Sequence, residues 1–316
     1  MAANKRVDWS GVFTAMVTPF GSDDAIDFNA VELLIETLIR DGVSGVVVAG
    51  STGEFYSMSD DERLALFRAV KRAAAGRIKF IAGTSALSLK DTLALTEAAK
   101  SIGADGCMVL PPTYSLPTPR EIRAYFAEVA EVGAPIMVYN NPGRTGVNIP
   151  PALAVELSQI ENIVAYKEAA RDLYAVAETY YATRTRWQHF AGLEPYGSAL
   201  MTRGAAGLVS TISNVCAREV VAYHQAYLSG DTKTLSNSQL VIDKLYHLLP
   251  STGLSNFAYV KGAMQALGRP GGVPRAPHIR ADAAKVATIR AGIHKIYEEA
   301  ALSLPLPAPG EALTAA

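Results

Sequence analysis

The sequence predicts an α/β protein, a (β/α)8 barrel with a C-terminal helical appendage, on three observations. Eight short apolar runs rich in β-branched residues recur along the chain. Segments with helical apolar spacing lie between them, and further helical segments follow the eighth run. The 316 residues suffice for one large barrel or two smaller domains, and a doubly wound sheet is the runner-up.

The runs are Gly11 to Pro19, Gly45 to Ala49, Ile78 to Gly83, Gly106 to Leu110, Pro135 to Tyr139, Ile163 to Lys167, Trp187 to Ala191 and Gly207 to Ser210. Each is short and continuously apolar, the pattern of a strand covered on both faces. Helical spacing follows in Asn29 to Arg40, Asp60 to Ala75, Leu89 to Ile102 and Arg120 to Val132, so the unit is strand then helix. Gly204-Ala205-Ala206-Gly207 reads as a turn into the eighth strand. Beyond it, Ser236 to Leu249, Ser255 to Leu267 and Ala281 to Ala300 have helical composition. They are separated by breaks at Pro250-Ser251-Thr252-Gly253 and Gly268-Arg269-Pro270-Gly271-Gly272. The expected division is a barrel over 1–230, a helical region over 231–302 and a flexible tail over 303–316, where Pro305, Pro307, Pro309 and Gly310 cluster.

The net charge of −1 leaves no basic field, so neither nucleic acid nor an anionic membrane is an expected partner. The start, Met1 to Asp8, lacks the apolar core of a signal peptide, and no run approaches the roughly 18 to 20 apolar residues of a membrane span. A cytoplasmic enzyme is the expectation. Cys107 and Cys216 lie beside apolar runs without metal spacing and read as core residues. The histidines at 189, 224, 247, 278 and 294 are scattered, with His189 inside the seventh run. No zinc motif and no nucleotide-binding glycine motif occurs, so neither a metal nor a cofactor is expected.

The sixth run ends in a lysine. In a parallel barrel the carboxyl ends of the strands form the face that carries the chemistry, which puts Lys167 there. A strand-end lysine usually extends its ammonium to water. Its unprotonated amine, favoured by a barrel mouth of low polarity, can instead attack a 2-oxo acid and form a Schiff base, with no metal required. Other strand ends bring possible partners. Gly50-Ser51-Thr52-Gly53-Glu54 pairs two hydroxyls with exposed backbone N–H groups, which suits a carboxylate, although an ordinary capped turn has the same composition. Tyr139 closes the fifth run, and Arg144 follows in a loop bounded by proline and glycine. There it can offer a fixed fork to a carboxylate or simply face solvent.

These residues resemble the dihydrodipicolinate synthase and N-acetylneuraminate lyase family of class I Schiff-base aldolases over about residues 8 to 300. Gly50 to Glu54 resembles its Gly-x-x-Gly-Glu, Tyr139 to Gly146 its Tyr-Asn-x-Pro-x-Arg-Thr-Gly, and Lys167-Glu168 its Lys-Glu. The resemblance implies Lys167 as the Schiff-base nucleophile, Tyr139 as acid and base, and Ser51 and Tyr114 as proton-relay residues. Tyr114 would reach into a neighbouring subunit, hence a homodimer or homotetramer. Substrate contacts are implied at Thr52, Gly53, Arg144, Glu194 and Val209, and the substrates are pyruvate or a related 2-oxo acid and an aldehyde.

The signature is mixed. Ser51-Thr52 resembles the lyase branch and Arg144 the synthase branch, while only Glu194 stands where lyases carry two acids. Tyr56, Asp60, Arg63, Leu87 and Thr113 do not match the effector contacts of lysine-regulated synthases. Dihydrodipicolinate synthase-like condensation or cleavage is therefore weighed against two catabolic activities. One is a 2-oxo-3-deoxy sugar acid aldolase or dehydratase, the other a deaminase of hydroxyproline-derived imino acids. A 2-oxo acid-binding barrel without turnover is the rival from another class.

Overall fold

The structure is a computed structural model that describes residues 7–304. Eight parallel strands, β1 (Gly11–Ala15), β2 (Gly45–Val48), β3 (Lys79–Gly83), β4 (Gly106–Val109), β5 (Ile136–Asn140), β6 (Ile163–Glu168), β7 (Gln188–Ala191) and β8 (Gly207–Ser210), close into a barrel in chain order. The closure is made by β1, which pairs with both β2 and β8. The connections carry α1 (Phe28–Arg40), α2 (Asp60–Ala74), α3 (Leu89–Ile102), α4 (Pro119–Glu131), the short α5 (Pro142–Thr145) and α6 (Pro151–Leu157), α7 (Leu173–Thr183), α8 (Gly197–Met201) and α9 (Ser213–Ser229). Then α10 (Thr232–Ser251), α11 (Asn256–Ala266) and α12 (Ala283–Glu299) follow, with α10 lying along α9 and α12 against α10 and α11.

Local sequence sets these boundaries. Ser59 with Glu62 and Thr118 with Glu121 form reciprocal capping boxes that start α2 and α4. The alternation within each strand divides the core in two. Phe13, Val47, Ile81, Met137, Phe190 and Val209 fill the barrel, whereas Val46, Val48, Phe80 and Leu208 face outward against the helices. Filling the barrel closes its interior and leaves the carboxyl ends of the strands as the accessible face.

Several expected boundaries shift. The first run leaves the sheet at Ala15, not Pro19, because Val17 N–H donates to the Asn214 side chain and the Thr18 hydroxyl to Gly53 O. The sixth strand extends one residue past Lys167 to Glu168. The expected break from Pro250 begins one residue later: Pro250 is the penultimate residue of α10, where its ring removes one hydrogen bond of the last turn, and the helix ends at Ser251. Cys107 and Cys216 are buried free thiols. Among the described residues no helix is long and apolar enough to cross a membrane. The expected tail lies, from residue 305 onward, outside the described residues, as do the first six residues of the start.

Candidate active site

Register alone brings the lysine and the tyrosine together. Tyr139 on β5 and Lys167 on β6 are direct partners in the parallel ladder, so their side chains leave the sheet on the same face. Both are buried, at 5% and 4% exposure, which takes the amine out of bulk water. Lys167 Nζ lies 3.9 Å from the centre of the Tyr139 ring, and Asn141 Nδ2 donates to the Tyr139 hydroxyl at 2.6 Å. The phenol thus keeps its own O–H available for an acceptor in the barrel mouth. Outside the barrel, Asn140 Nδ2 donates to Glu168 at 3.0 Å, joining the two strands one residue beyond Tyr139 and Lys167.

The turn after β2 forms the second part of the site. Ser51 and Thr52 are buried, and Thr52 Oγ1 is 3.0 Å from Thr211 Oγ1 at the end of β8. A Cβ on Gly53 would sit 3.0 Å from Ala49 N and 3.1 Å from Met16 O, so any larger residue would press on the backbone around this turn. Val209 is fully buried in the barrel interior.

A cavity of about 640 Å³ opens at the loops after β5, β6 and β7, lined by Asn141, Arg144, Arg171, Leu193, Tyr246 and Asn256 among others. Arg144 on α5 is exposed and lies over the Phe257 ring, 4.7 Å from its centre. Arg171 enters from the turn after β6, and among the described residues no carboxylate lines this cavity. Glu194 is fully buried. Its carboxylate accepts from Ser210 Oγ at 2.7 Å, from Ile212 N at 2.9 Å and from the Tyr246 hydroxyl. Both of its oxygens are therefore engaged by the protein. Tyr114 is 93% exposed, in a left-handed conformation at φ 71°.

Next to Lys167 in the chain, burial pushes the Glu168 carboxyl up to about 7, against the hydrogen bonds from Ala170 N, at 2.7 Å, and Asn140. His189 faces outward from β7, bonded to Thr183 Oγ1 at 2.9 Å, and burial pulls its imidazole down to about 3. Among the described residues no group of three or more His, Cys, Asp or Glu side chains could hold a metal ion. The structure adds four residues to the site that the sequence reading did not single out: Asn141 on the phenol, Thr211 on Thr52, and Arg171 and Tyr246 in the cavity. Asn141 lies inside the quoted Tyr139 to Gly146 motif and was open to notice. The others depend on which loops converge.

The model of the dihydrodipicolinate synthetase family matches residues 8–296. A Rhizobium meliloti protein described as an uncharacterized DapA-like lyase is 48% identical over 291 residues, which are 92% of this chain and 97% of its own. The 4-hydroxy-tetrahydrodipicolinate synthase 1 of Streptomyces coelicolor is 36% identical over 290 residues, 92% of this chain and 94% of its own. Among solved structures, the dihydrodipicolinate synthase of Aquifex aeolicus matches with a TM-score of 0.85 at 30% identity, covering 94% of this chain and 99% of that one. The chloride-inhibited dihydrodipicolinate synthase of Acinetobacter baumannii, solved in complex with pyruvate, matches with a TM-score of 0.83 at 28% identity, covering 93% and 99%.

Proposed function

We propose, because the chain belongs to the dihydrodipicolinate synthetase family, that it is a Schiff-base lyase acting on pyruvate or a related 2-oxo acid through Lys167. The observation that carries this reading is the buried amine 3.9 Å from the ring of its in-register neighbour, at the open end of a filled barrel. The amine attacks the 2-oxo carbon and water leaves as the C=N bond forms. The protonated imine then draws electrons from the adjacent carbon, which can lose a proton or break its bond to the next carbon. Tyr139, oriented by Asn141, donates and accepts protons beside that imine. Ser51, Thr52 and the Gly53 backbone take the substrate carboxylate, and Val209 contributes an apolar contact.

The second substrate meets the loop cavity. Arg144 and Arg171 without a facing acid favour an anionic aldehyde, and the prior engagement of both Glu194 oxygens disfavours a sugar's hydroxyl chain. This supports condensation with an acidic aldehyde over cleavage of 2-oxo-3-deoxy sugar acids, and an assay of pyruvate with aspartate semialdehyde against a panel of such acids separates the two. The exposed Tyr114 supports a homodimer or larger assembly in which it completes a partner's site.

Borohydride treatment with pyruvate followed by intact-mass analysis tests the central reading. One pyruvate is expected to be fixed per chain, mapping to Lys167 and absent from a Lys167→Ala protein. A wild-type chain that forms no adduct with pyruvate or any larger 2-oxo acid refutes the assignment.

A further inference from the structure

The helices beyond the barrel bring one charged group under the carboxylate-binding turn. Lys261, on α11, is 1% exposed, and its Nζ lies 2.6 Å from Glu54 Oε1 of a fully buried glutamate. The same ammonium donates to Thr18 O at 2.7 Å and to Val273 O at 2.8 Å, beside its ion pair with Glu54. The other Glu54 oxygen accepts from Arg275 N at 3.0 Å. Thr18 in turn donates through its hydroxyl to Gly53 O at 2.7 Å.

The turn that these contacts hold is conformationally unfavourable by itself. Ala49 and Glu54, which flank Gly50 to Gly53, both have left-handed backbones, at φ 52° and 56°. Residues other than glycine keep such angles only where the surroundings impose them. Within this turn lie Ser51 and Thr52. Lys261 therefore ties together the segment after β1, the residue that closes the hydroxyl turn, and the Val273 to Arg275 segment from beyond the barrel. Burial pulls Lys261 down to about 8, with the Glu54 charge opposing the fall.

We infer that Lys261 is a positioning residue: through Glu54 and Thr18 it locks the Ser51-Thr52-Gly53 turn in the geometry that receives the 2-oxo acid's carboxylate. The role of that turn rests on the function proposed above, whereas the lock itself does not. This gives the C-terminal helices a part in substrate binding without touching substrate. Loss of the lock should raise the half-saturating 2-oxo acid concentration while leaving the KM for the second substrate unchanged, since Arg144 and Arg171 stand on other loops.

The test compares Lys261→Met, which leaves Glu54 unpaired, with Glu54→Gln/Lys261→Met, which removes both charges and protects the fold should the single variant not survive. Ile293→Ala, at a fully buried residue of α12, serves as a control for general destabilisation. Two quantities are read in each intact protein: hydrogen–deuterium exchange of peptides covering residues 47–57, and the half-saturating pyruvate concentration for borohydride trapping at Lys167. In the paired variant we expect faster exchange in those peptides and a roughly 10- to 100-fold rise in half-saturation, the range of losses from misplaced binding groups. Ile293→Ala should change neither. Unchanged exchange in the folded paired variant overturns the lock, and faster exchange with wild-type half-saturation overturns its role in binding. If wild type traps no 2-oxo acid, the Schiff-base reading and the binding role fall together, and the exchange data still decide the lock.

Discussion

Gly192 offers a direct test of how tightly the lysine is held. It follows β7 and donates its N–H to Glu168 O at 2.7 Å, which pins its backbone beside the end of β6. A Cβ there would sit 2.9 Å from Lys167 Cε, 3.1 Å from Lys167 Cγ and 2.8 Å from Glu168 O. Ordinary carbon–carbon contacts need about 3.5 to 4.0 Å, so Gly192→Ala forces the lysine stem aside by roughly 0.6 to 1 Å. Gly192 is not in the left-handed region, so alanine meets no backbone penalty and the whole effect is steric. The stability loss should stay near the cost of overpacking, about 1–3 kcal/mol. The rate loss should be larger, because a displacement of about 1 Å at the reacting atom can cost about 100-fold. Stopped borohydride trapping at saturating pyruvate measures adduct formation directly, and a urea titration measures stability. A folded Gly192→Ala protein that forms the adduct at the wild-type rate would show that the close approach does not constrain Lys167.

Tyr139→Phe should lower kcat by about 10² to 10⁴ and leave the fold intact, and turnover at the normal rate would remove its role as proton shuttle. Mixing Tyr114→Ala with Lys167→Ala, each inactive alone, should restore about a quarter of wild-type activity if Tyr114 completes a partner's site in a randomly assorted dimer, and nothing if each chain uses its own. Arg171→Ala should raise the KM of an anionic aldehyde about tenfold, the effect of one lost charge-assisted contact, with no change for a neutral aldehyde of similar size. For Glu168, burial raises the folded pKa to about 7 from 4.5, so the native chain retains a proton that the unfolded chain releases. Its contribution is complete below about pH 4.5 and is lost as pH rises through about 7, roughly 3 kcal/mol in all. Glu168→Gln should flatten that slope in urea titrations between pH 5 and pH 8, and identical slopes in the two proteins would reject the assignment.

The residues legible in the sequence share one property: their place follows from their own strand. Lys167 and Tyr139 end apolar runs, and once the barrel closes in chain order, parallel register makes them neighbours without further information. The hydroxyl turn was likewise readable, because its two glycines and two hydroxyls are contiguous. Glu194 was legible as a strand-end acid, but what engages it was not. Ser210, Ile212 and Tyr246 reach it from β8, the following loop and α10, and only packing brings those three to one carboxylate. Lys261 was hidden for the same reason, since within Ala258-Tyr259-Val260-Lys261-Gly262-Ala263 it resembles the polar position of an ordinary helix, and its partner Glu54 lies at the far end of the chain. Local pattern thus specified the strands and the groups at their ends. Apart from Asn141, which lies two residues from the phenol that it contacts, the partners of those groups come from long-range closure, and one sequence could not expose them. The C-terminal helices show the consequence: composition marked them as an appendage, while the buried Lys261–Glu54 ion pair ties them to the turn after β2.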